Sequence, residues 1–363
     1  MQVADVPTPA LLLDLDVLEA NLRRMAGRAR ELGVRLRPHV KTHKCVQVGE
    51  LQREAGARGI TVATLEEARA FAGAGFRDLT WAFPVVPGRV EEAAEIAREA
   101  RLALTVDGSE AVELLEDRGH PFPVWLEVDC GYGRSGVAPG GRHLVDVAGA
   151  LTGSGTLTFE GILTHAGQAY HGRSPEELAA AAEEERSVMV RAARRLREAG
   201  VPVPSVSVGS TPGMSRAQRL DGVDEARPGN YAFHDRTQVV LGTCEVTDVA
   251  LTVLATVVSS RPGADRCVVD AGALALSKDA GPEGAGPPTM GELFDDYDAG
   301  RLADGARLDS LSQEHGIVSR RLPWGRRVRI LPNHSCLTAA CHDVYHVVRG
   351  DEVVDRWPIH RAR

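Results

Sequence analysis

The sequence predicts an α/β protein, a (β/α)8 barrel joined to a second, mostly β domain. Three features point there. Strand-like apolar runs alternate with helical patterns up to about residue 239, giving about eight βα units in roughly 200 residues, the scale of such a barrel. After about residue 240 the helical patterns give way to strand-like runs that follow one another. The opening run PALLLDLD stands outside the count of eight and can join the second domain. The expected boundaries are 17–239 for the barrel and 240–363, with the strand 8–16, for the β domain.

The elements follow in order. PALLLDLD runs apolar like a strand, and VLEANLRRMAGRARELG carries a helical stripe of Leu18, Leu22 and Met25 with a stop at Gly33. The strand candidates are VRLRPHVK, with Lys41 inside it, then GITVATL, DLTWAF, LALTVD, PVWLEVD, TFEGILTHAG, SVSVGS and a weaker stretch around EARPGNYAF. TLEEARAFAGAG, GRVEEAAEIAREA, GSEAVELLEDRG and SPEELAAAAEEERSVMVRAARRLREAG read as the helices between them. In the tail, DVALTVLATVVSSRP, RCVVDAG and RRVRILP read as strands, and VYHVVRGDEVVDRWP as a hairpin turning at Arg349-Gly350-Asp351. The Gly/Pro-rich stretch between Ser277 and Leu311 reads as a long loop with one helical turn or two.

Composition narrows the function classes. The 363 residues are 43% hydrophobic and 25% charged, ordinary for a globular chain, and 4% aromatic, too few for a base-stacking or carbohydrate platform. Forty-two basic residues against 50 acidic ones give a net charge of −8, which argues against nucleic-acid and anionic-membrane partners. No apolar run approaches the roughly 18 residues of a membrane span, and the start has no signal-peptide pattern. The six cysteines are scattered without a CxxC pair and read as reduced thiols, so the cytoplasm is the expected compartment.

Barrel enzymes carry their chemistry at the carboxyl ends of the strands. Here those ends hold Lys41, Glu66 and Glu67, Asp107, Asp129 to Arg134, His165 to Tyr170, Gly209 to Thr211, and Gly229 to Tyr231. A lone lysine at a strand end is more often a solvated cation or half of an ion pair, and Glu66 and Glu67 open a helix and serve its dipole. The joint placement is what singles the group out. The turn VGSTPG offers backbone N–H groups and two hydroxyls where barrels recurrently bind phosphate. A lysine near a phosphate cradle suggests a phosphorylated aldehyde held as an imine, namely pyridoxal 5'-phosphate.

Two further motifs need weighing. GYGRSG matches the dinucleotide fingerprint G-x-G-x-x-G but follows about the fifth strand, and the next strand ends on no acidic residue at the required distance. Its glycines instead let the chain turn so that Arg134 faces a cofactor. In PNHSC, His334 and Cys336 stand two apart, on one side of an extended segment, and imidazole with thiolate suits zinc. A loop histidine beside a buried cysteine is the plainer alternative. Cys341 and His342 lie close by and read as packing residues before the hairpin.

RPHVKTHK, EVDCGYGRSGV, THAGQAYHG, PGNYAFHDRTQVVLG, DAGALALSKD, SQEHG and PNHSCLTAACHDVYHVV together resemble the D-serine dehydratase and D-threonine aldolase family, from about Thr8 to Trp357. These are pyridoxal-phosphate enzymes of alanine-racemase-like fold. The resemblance implies that Lys41 carries the cofactor and, once released, is the catalytic base. Its amine, ordinarily with a pKa of about 10.4, would need lowering by burial and by Arg134. Arg134 would lie by the phenolate oxygen, and His165 and Tyr170 would line the ring. Gly209, Ser210 and Thr211, with Gly229, Asn230 and Tyr231, would take the phosphate. His334 and Cys336 would hold the metal; dehydratase-type members resemble His-x-Cys and the aldolases His-x-Asp. A thiolate donor favours Zn2+ over Mn2+ or Mg2+.

The implied reaction is β-elimination from a D-3-hydroxy amino acid such as D-serine, giving a 2-oxo acid and ammonia. Retro-aldol cleavage to glycine and an aldehyde, or dehydration of D-3-hydroxyaspartate, are the alternatives. A homodimer is also implied. A non-catalytic pyridoxal-phosphate carrier would lack the β domain, and a racemase would show a motif like KADAYGHG and a second, tyrosine base that has no place here.

Overall fold

The structure, a computed structural model, describes residues 1–282 and 287–361. It divides into two compact units. One comprises Met1–Arg23, Thr42–Gln47 and Asn230–Arg361, and the other Arg24–Lys41 and Val48–Gly229. No helix among the described residues is long and apolar enough to cross a membrane.

The second of these units is the barrel. Its eight parallel strands are Arg35–Leu36, Ile60–Val62, Asp78–Pro84, Arg101–Val106, Pro123–Glu127, Thr158–Leu163, Val206–Val208 and Glu225–Ala226. Each pairs with its neighbour in the chain, the first pairs with the last, and a parallel bridge from His39 to Thr61 joins the first to the second. Near-continuous apolar stretches such as Leu102–Val106 are buried throughout, as expected of strands covered on both faces. Local chemistry sets the helix starts. Thr64 Oγ1 accepts from Glu67 N–H while the Glu67 carboxylate accepts from Ala63 N–H, a reciprocal cap on Leu65–Gly73. Ser174 and Pro175 open Pro175–Glu198 in the same way, and Gly119 closes Ser109–Arg118 in the left-handed conformation.

The expected strands are present, with one correction at Lys41. The ladder ends at Leu36, and Lys41 lies in a 3-10 turn, Val40–Thr42, not in a strand. Pro38 has no N–H for a ladder, and its carbonyl accepts from Thr61 N–H at 2.8 Å. The chain coils once His39 has donated to Pro228 O.

Polar groups thread the barrel. Buried Arg37 donates to Glu225 and to Asp78, each at 2.7 Å, and Ser207 donates to the other oxygen of Glu225 at 2.9 Å. Arg227, also buried, donates to Ser207 Oγ and to the Thr164 carbonyl. Removing one partner of a buried ion pair of this kind costs about 3–5 kcal/mol, because the other charge is left unmatched.

The β unit holds nine strands in the order Cys267–Val269, Gly316–Val318, Arg301–Leu311, Glu292–Asp296, Arg327–Leu331, Leu251–Ser259, Ala10–Asp14, Val344–Arg349, Glu352–Pro358. Leu251–Ser259 also pairs with Cys267–Val269, so the first six strands of that order close on themselves. Ala10–Asp14 is buried along its whole length. It pairs antiparallel with Leu251–Ser259 and parallel with Val344–Arg349. The hairpin turns at Gly350, with φ of 55°.

Two differences from the sequence reading concern this unit. Residues 277–311 are not one long loop, since Glu292–Asp296 and Arg301–Leu311 are strands; residues 283–286 of that stretch lie outside the described residues. Register shifts around Phe294 break the alternation that would have announced them. The segment 230–239, expected in the barrel, falls in the β unit. Arg236 and Thr237 donate their N–H groups to Pro332 O and Asn333 O, which ties this segment to the β strands.

Candidate active site

At the carboxyl ends of the barrel strands, glycine geometry builds the first turn. Asp129 Oδ1 accepts from the N–H groups of Gly131 and Gly133, at 2.9 and 3.0 Å, and Val128 bridges Val137. Gly136 closes the turn at φ 101°, where a Cβ would lie 2.7 Å from Asp129 N. The turn projects the Arg134 guanidinium over the Tyr132 ring, 5.7 Å from its centroid, and sets that ring edge-on to His165 at 6.3 Å. Arg134 also stands 4.0 Å from Glu127 Oε1. Arg134 and His165 thus line one recess with Glu127, Asp129, Tyr132, Ser135 and Thr164.

Electrostatics place Lys41 in this group. Burial, then the Lys41, Arg134 and Arg227 cations, push the His165 imidazole down to about 3, so it is neutral at any physiological pH. Glu127 is buried, which raises its carboxyl pKa, and its Oε2 has no partner among the described residues. Tyr170 is half-buried on the turn Gly167–His171.

The turn after Val206–Val208 is also built on a glycine. Gly209 has φ 125°, and a Cβ there would meet Arg227 N at 2.7 Å. Its N–H donates to Glu185 Oε1 at 3.1 Å. Ser210 caps the helix Thr211–Arg216, its hydroxyl accepting from Gly213 N–H, so VGSTPG is a strand-to-helix junction rather than a plain turn. Gly229 is half-buried and ends the barrel unit. Glu66 bonds Arg89, and Glu67 is spent on its helix cap.

In the β unit, His334 and Cys336 are hydrogen-bonded to each other, but not from an extended segment. His334 is the N-cap of the short helix Ser335–Ala339, and Cys336 lies within it. His334 Nδ1 lies 2.9 Å from Asp279 Oδ2, which orients the ring. Cys336 Sγ lies 3.2 Å from Thr42 Oγ1 and 3.9 Å from Asn230 Nδ2. Buried Asp235 ties the surroundings together, accepting from Asn230 Nδ2 at 2.6 Å and from Ser335 N–H at 2.8 Å. Tyr231 is buried beside Asn230 on the 3-10 turn Asn230–Ala232.

The two side chains favour each other's charged forms. Burial works against the His334 imidazolium, yet the Cys336 thiolate and Asp279 overcome it and push the imidazole up to about 11. Burial likewise opposes the Cys336 thiolate, and His334 holds its pKa below the ordinary thiol value. Among the described residues no group of three or more His, Cys, Asp or Glu is arranged for a metal, so the pair stands as two donors. Cys341 and His342 are occupied with backbone carbonyls: Cys341 Sγ with Leu337 O at 3.3 Å, His342 Nε2 with Ala275 O at 2.9 Å.

Sequence reasoning missed Asp279, Asp235, Glu185 and Arg227. Each bonds a partner distant in the chain; Asp279 lies within the motif DAGALALSKD, Asp235 within PGNYAFHDRTQVVLG and Arg227 within EARPGNYAF, but no spacing there gives them a role.

Comparison with known proteins identifies the family. The model of the alanine racemase N-terminal domain matches residues 13–237, and that of the serine dehydratase domain matches 250–348. The D-threo-3-hydroxyaspartate dehydratase of Delftia sp. strain HT23 is 42% identical over 96% of each chain. The chain belongs to the D-serine dehydratase and D-threonine aldolase family, fold type III pyridoxal-phosphate enzymes that are lyases. Within this family, the D-serine dehydratase of Dictyostelium discoideum is 33% identical over 97% of this chain and 96% of its own. The D-threonine aldolase of an Arthrobacter species is 32% identical over 98% and 93%. The solved structure of the Delftia enzyme superposes with a TM-score of 0.94 at 41% identity, covering 99% of this chain and 98% of that one. D-threo-3-hydroxyaspartate dehydratase has also been solved as a histidine-to-alanine variant and as a cysteine-to-alanine variant in the metal-free form, the two substituted positions being two apart.

Proposed function

We propose that this protein is a pyridoxal-phosphate- and zinc-dependent dehydratase that converts a D-3-hydroxy amino acid to a 2-oxo acid and ammonia. The observation that carries the reading is the hydrogen-bonded His334–Cys336 pair with Asp279 behind it, each partner favouring the other's charged form. The donor chemistry fits zinc, since a soft thiolate and an imidazole presented by Nε2 are its preferred protein ligands. The spacing also equals that of the two alanine variants of D-threo-3-hydroxyaspartate dehydratase, one of them metal-free. Zinc there would supply Lewis acidity toward a hydroxyl leaving group, replacing the protons the pair otherwise holds.

The barrel residues fit the organic cofactor. An amine, a guanidinium and a neutral imidazole converge, and the orphaned Glu127 Oε2 shows polar capacity left in the recess. When bound, pyridoxal phosphate supplies an electron sink for the charge left at Cα when a bond there breaks. Lys41 would hold it and then move the α-proton. Arg134 would face its phenolate oxygen, and Tyr170 and His165 would line its ring, His165 offering a hydrogen bond without bringing a proton. The segments Gly209–Thr211 and Gly229–Tyr231 would take the phosphate. Asn230 lends its side chain to Asp235 and Ser335 instead, so its backbone is the part left for that role.

The same reading makes the protein a homodimer of the cytoplasm. The test is product analysis. Purified protein is incubated with D-serine, D-threonine and D-threo-3-hydroxyaspartate, scoring 2-oxo acid, ammonia, glycine and aldehyde. A 2-oxo acid with equimolar ammonia is expected; glycine and an aldehyde alone would replace elimination by retro-aldol cleavage.

A further inference from the structure

Glu185 lies on the 24-residue helix Pro175–Glu198, where its side chain is 3% exposed. Its Oε1 accepts two backbone N–H groups, from Ala166 at 3.2 Å and from Gly209 at 3.1 Å. These donors belong to two different strand ends. Ala166 follows His165, and Gly209 precedes Ser210 and Thr211. The other oxygen, Oε2, lies 3.5 Å from where a Cβ on Gly213 would stand, so the carboxyl also abuts the helix Thr211–Arg216.

Burying a carboxyl here is costly, and burial raises its pKa. A leucine would fill similar volume without that cost. What a leucine lacks is an acceptor for two N–H groups that leave their strands at these points. Gly209 in particular turns away at φ 125°, close against Arg227 N. The positive charge of Arg227 favours the ionised form of Glu185.

We infer that Glu185 is a positioning residue that locks the turn Gly209–Thr211 in register with the turn carrying His165, and thereby sets the preference for a phosphorylated cofactor over its dephosphorylated form. This rests on the reading of Gly209–Thr211 as the phosphate turn.

The experiment titrates cofactor-free wild type, Glu185→Gln and Glu185→Leu with pyridoxal phosphate and with pyridoxal, following visible absorbance, alongside melting temperature. Glu185→Gln keeps an acceptor oxygen and should hold the wild-type preference. Glu185→Leu leaves two buried N–H groups unmatched and should lose about ten- to hundredfold in affinity for the phosphorylated form while binding pyridoxal as before. Should Glu185→Leu fail to fold, Glu185→Asp, which withdraws the carboxylate by one methylene, reads the same ratio in the same direction. An unchanged ratio, or equal loss for both forms with a lower melting temperature, would reduce Glu185 to a structural residue and overturn the inference. Amide exchange on cofactor-free protein separates the two failures. Faster exchange at Ala166 and Gly209 in Glu185→Leu, in a protein whose wild type shows no phosphate preference, would sustain the clamp and refute the phosphate turn, and with it the inferred cofactor preference.

Discussion

His165 in the barrel unit and His334 in the β unit are both largely shielded from water, yet their proton affinities are driven to opposite ends of the scale. Shielding disfavours the imidazolium at both. Around His165 the nearest charges are Lys41, Arg134 and Arg227, which add to that effect and bring it to about 3. Around His334 the nearest charges are Cys336 and Asp279, which reverse it and bring it to about 11. Burial fixes how strongly neighbours are felt, and the sign of the nearest charge decides the outcome. One unit keeps an uncharged ring among cations that would suit an anionic cofactor. The other draws an imidazole and a thiol toward their charged forms, a pair that would suit a metal.

Substitutions can break this contrast from either side. The largest effect is expected for Lys41→Ala. Activity should fall by at least the roughly 10²–10⁴-fold that a proton-transfer group contributes, and cofactor absorbance from the imine should vanish. His165 should at the same time bind a proton more readily, read by NMR titration; retained absorbance would mean that another lysine holds the cofactor. Next comes Cys336→Ala, which should bring zinc content to background while pyridoxal phosphate still binds, and should lower the His334 titration midpoint. Activity surviving in chelator would refute the metal role. Asp279→Asn should weaken metal binding by about 10–100-fold, the usual effect of losing an orienting partner, measured by competition with a chromophoric chelator.

The smallest effect is on pH-dependent stability. Because the folded pKa of His165 lies below the unfolded value of 6.5, the unfolded chain binds more protons between the two. Stability should therefore fall as pH drops from 6.5 toward 3. His165→Asn should flatten that part of the curve, seen as a smaller difference in urea midpoint between about pH 7 and pH 4.5. His334 acts in the other sense in metal-free protein: its stabilisation is complete below 6.5 and is lost as pH rises toward about 11.

The barrel was legible because its strands are short apolar runs bounded by caps and glycines, and because residues at successive strand ends converge by construction. The sequence singles out Lys41 as a candidate but misreads its local conformation, since VRLRPHVK carries β-like periodicity through a segment that Pro38 has already ended. Glu292–Asp296 escaped notice because Asp295 and Asp296 and the shifts around Phe294 mask a strand pattern. Asp279 and Glu185 could not be assigned at all. Each is an ordinary acidic residue whose meaning comes from a hydrogen bond to a group 55 and 24 residues away, respectively.

The position of Ala10–Asp14 between Leu251–Ser259 and Val344–Arg349 bears on how the molecule is made. The segment synthesised among the first must wait for both of its neighbours, the later of which emerges more than three hundred residues on. At about 5–20 residues per second that interval is roughly 15–70 s, and until Leu251–Ser259 emerges the apolar ribbon ALLLD has neither edge paired. Nascent-chain handling of this ribbon, by a chaperone or by the translating ribosome's own surface, should then limit yield more than the mature protein's stability does.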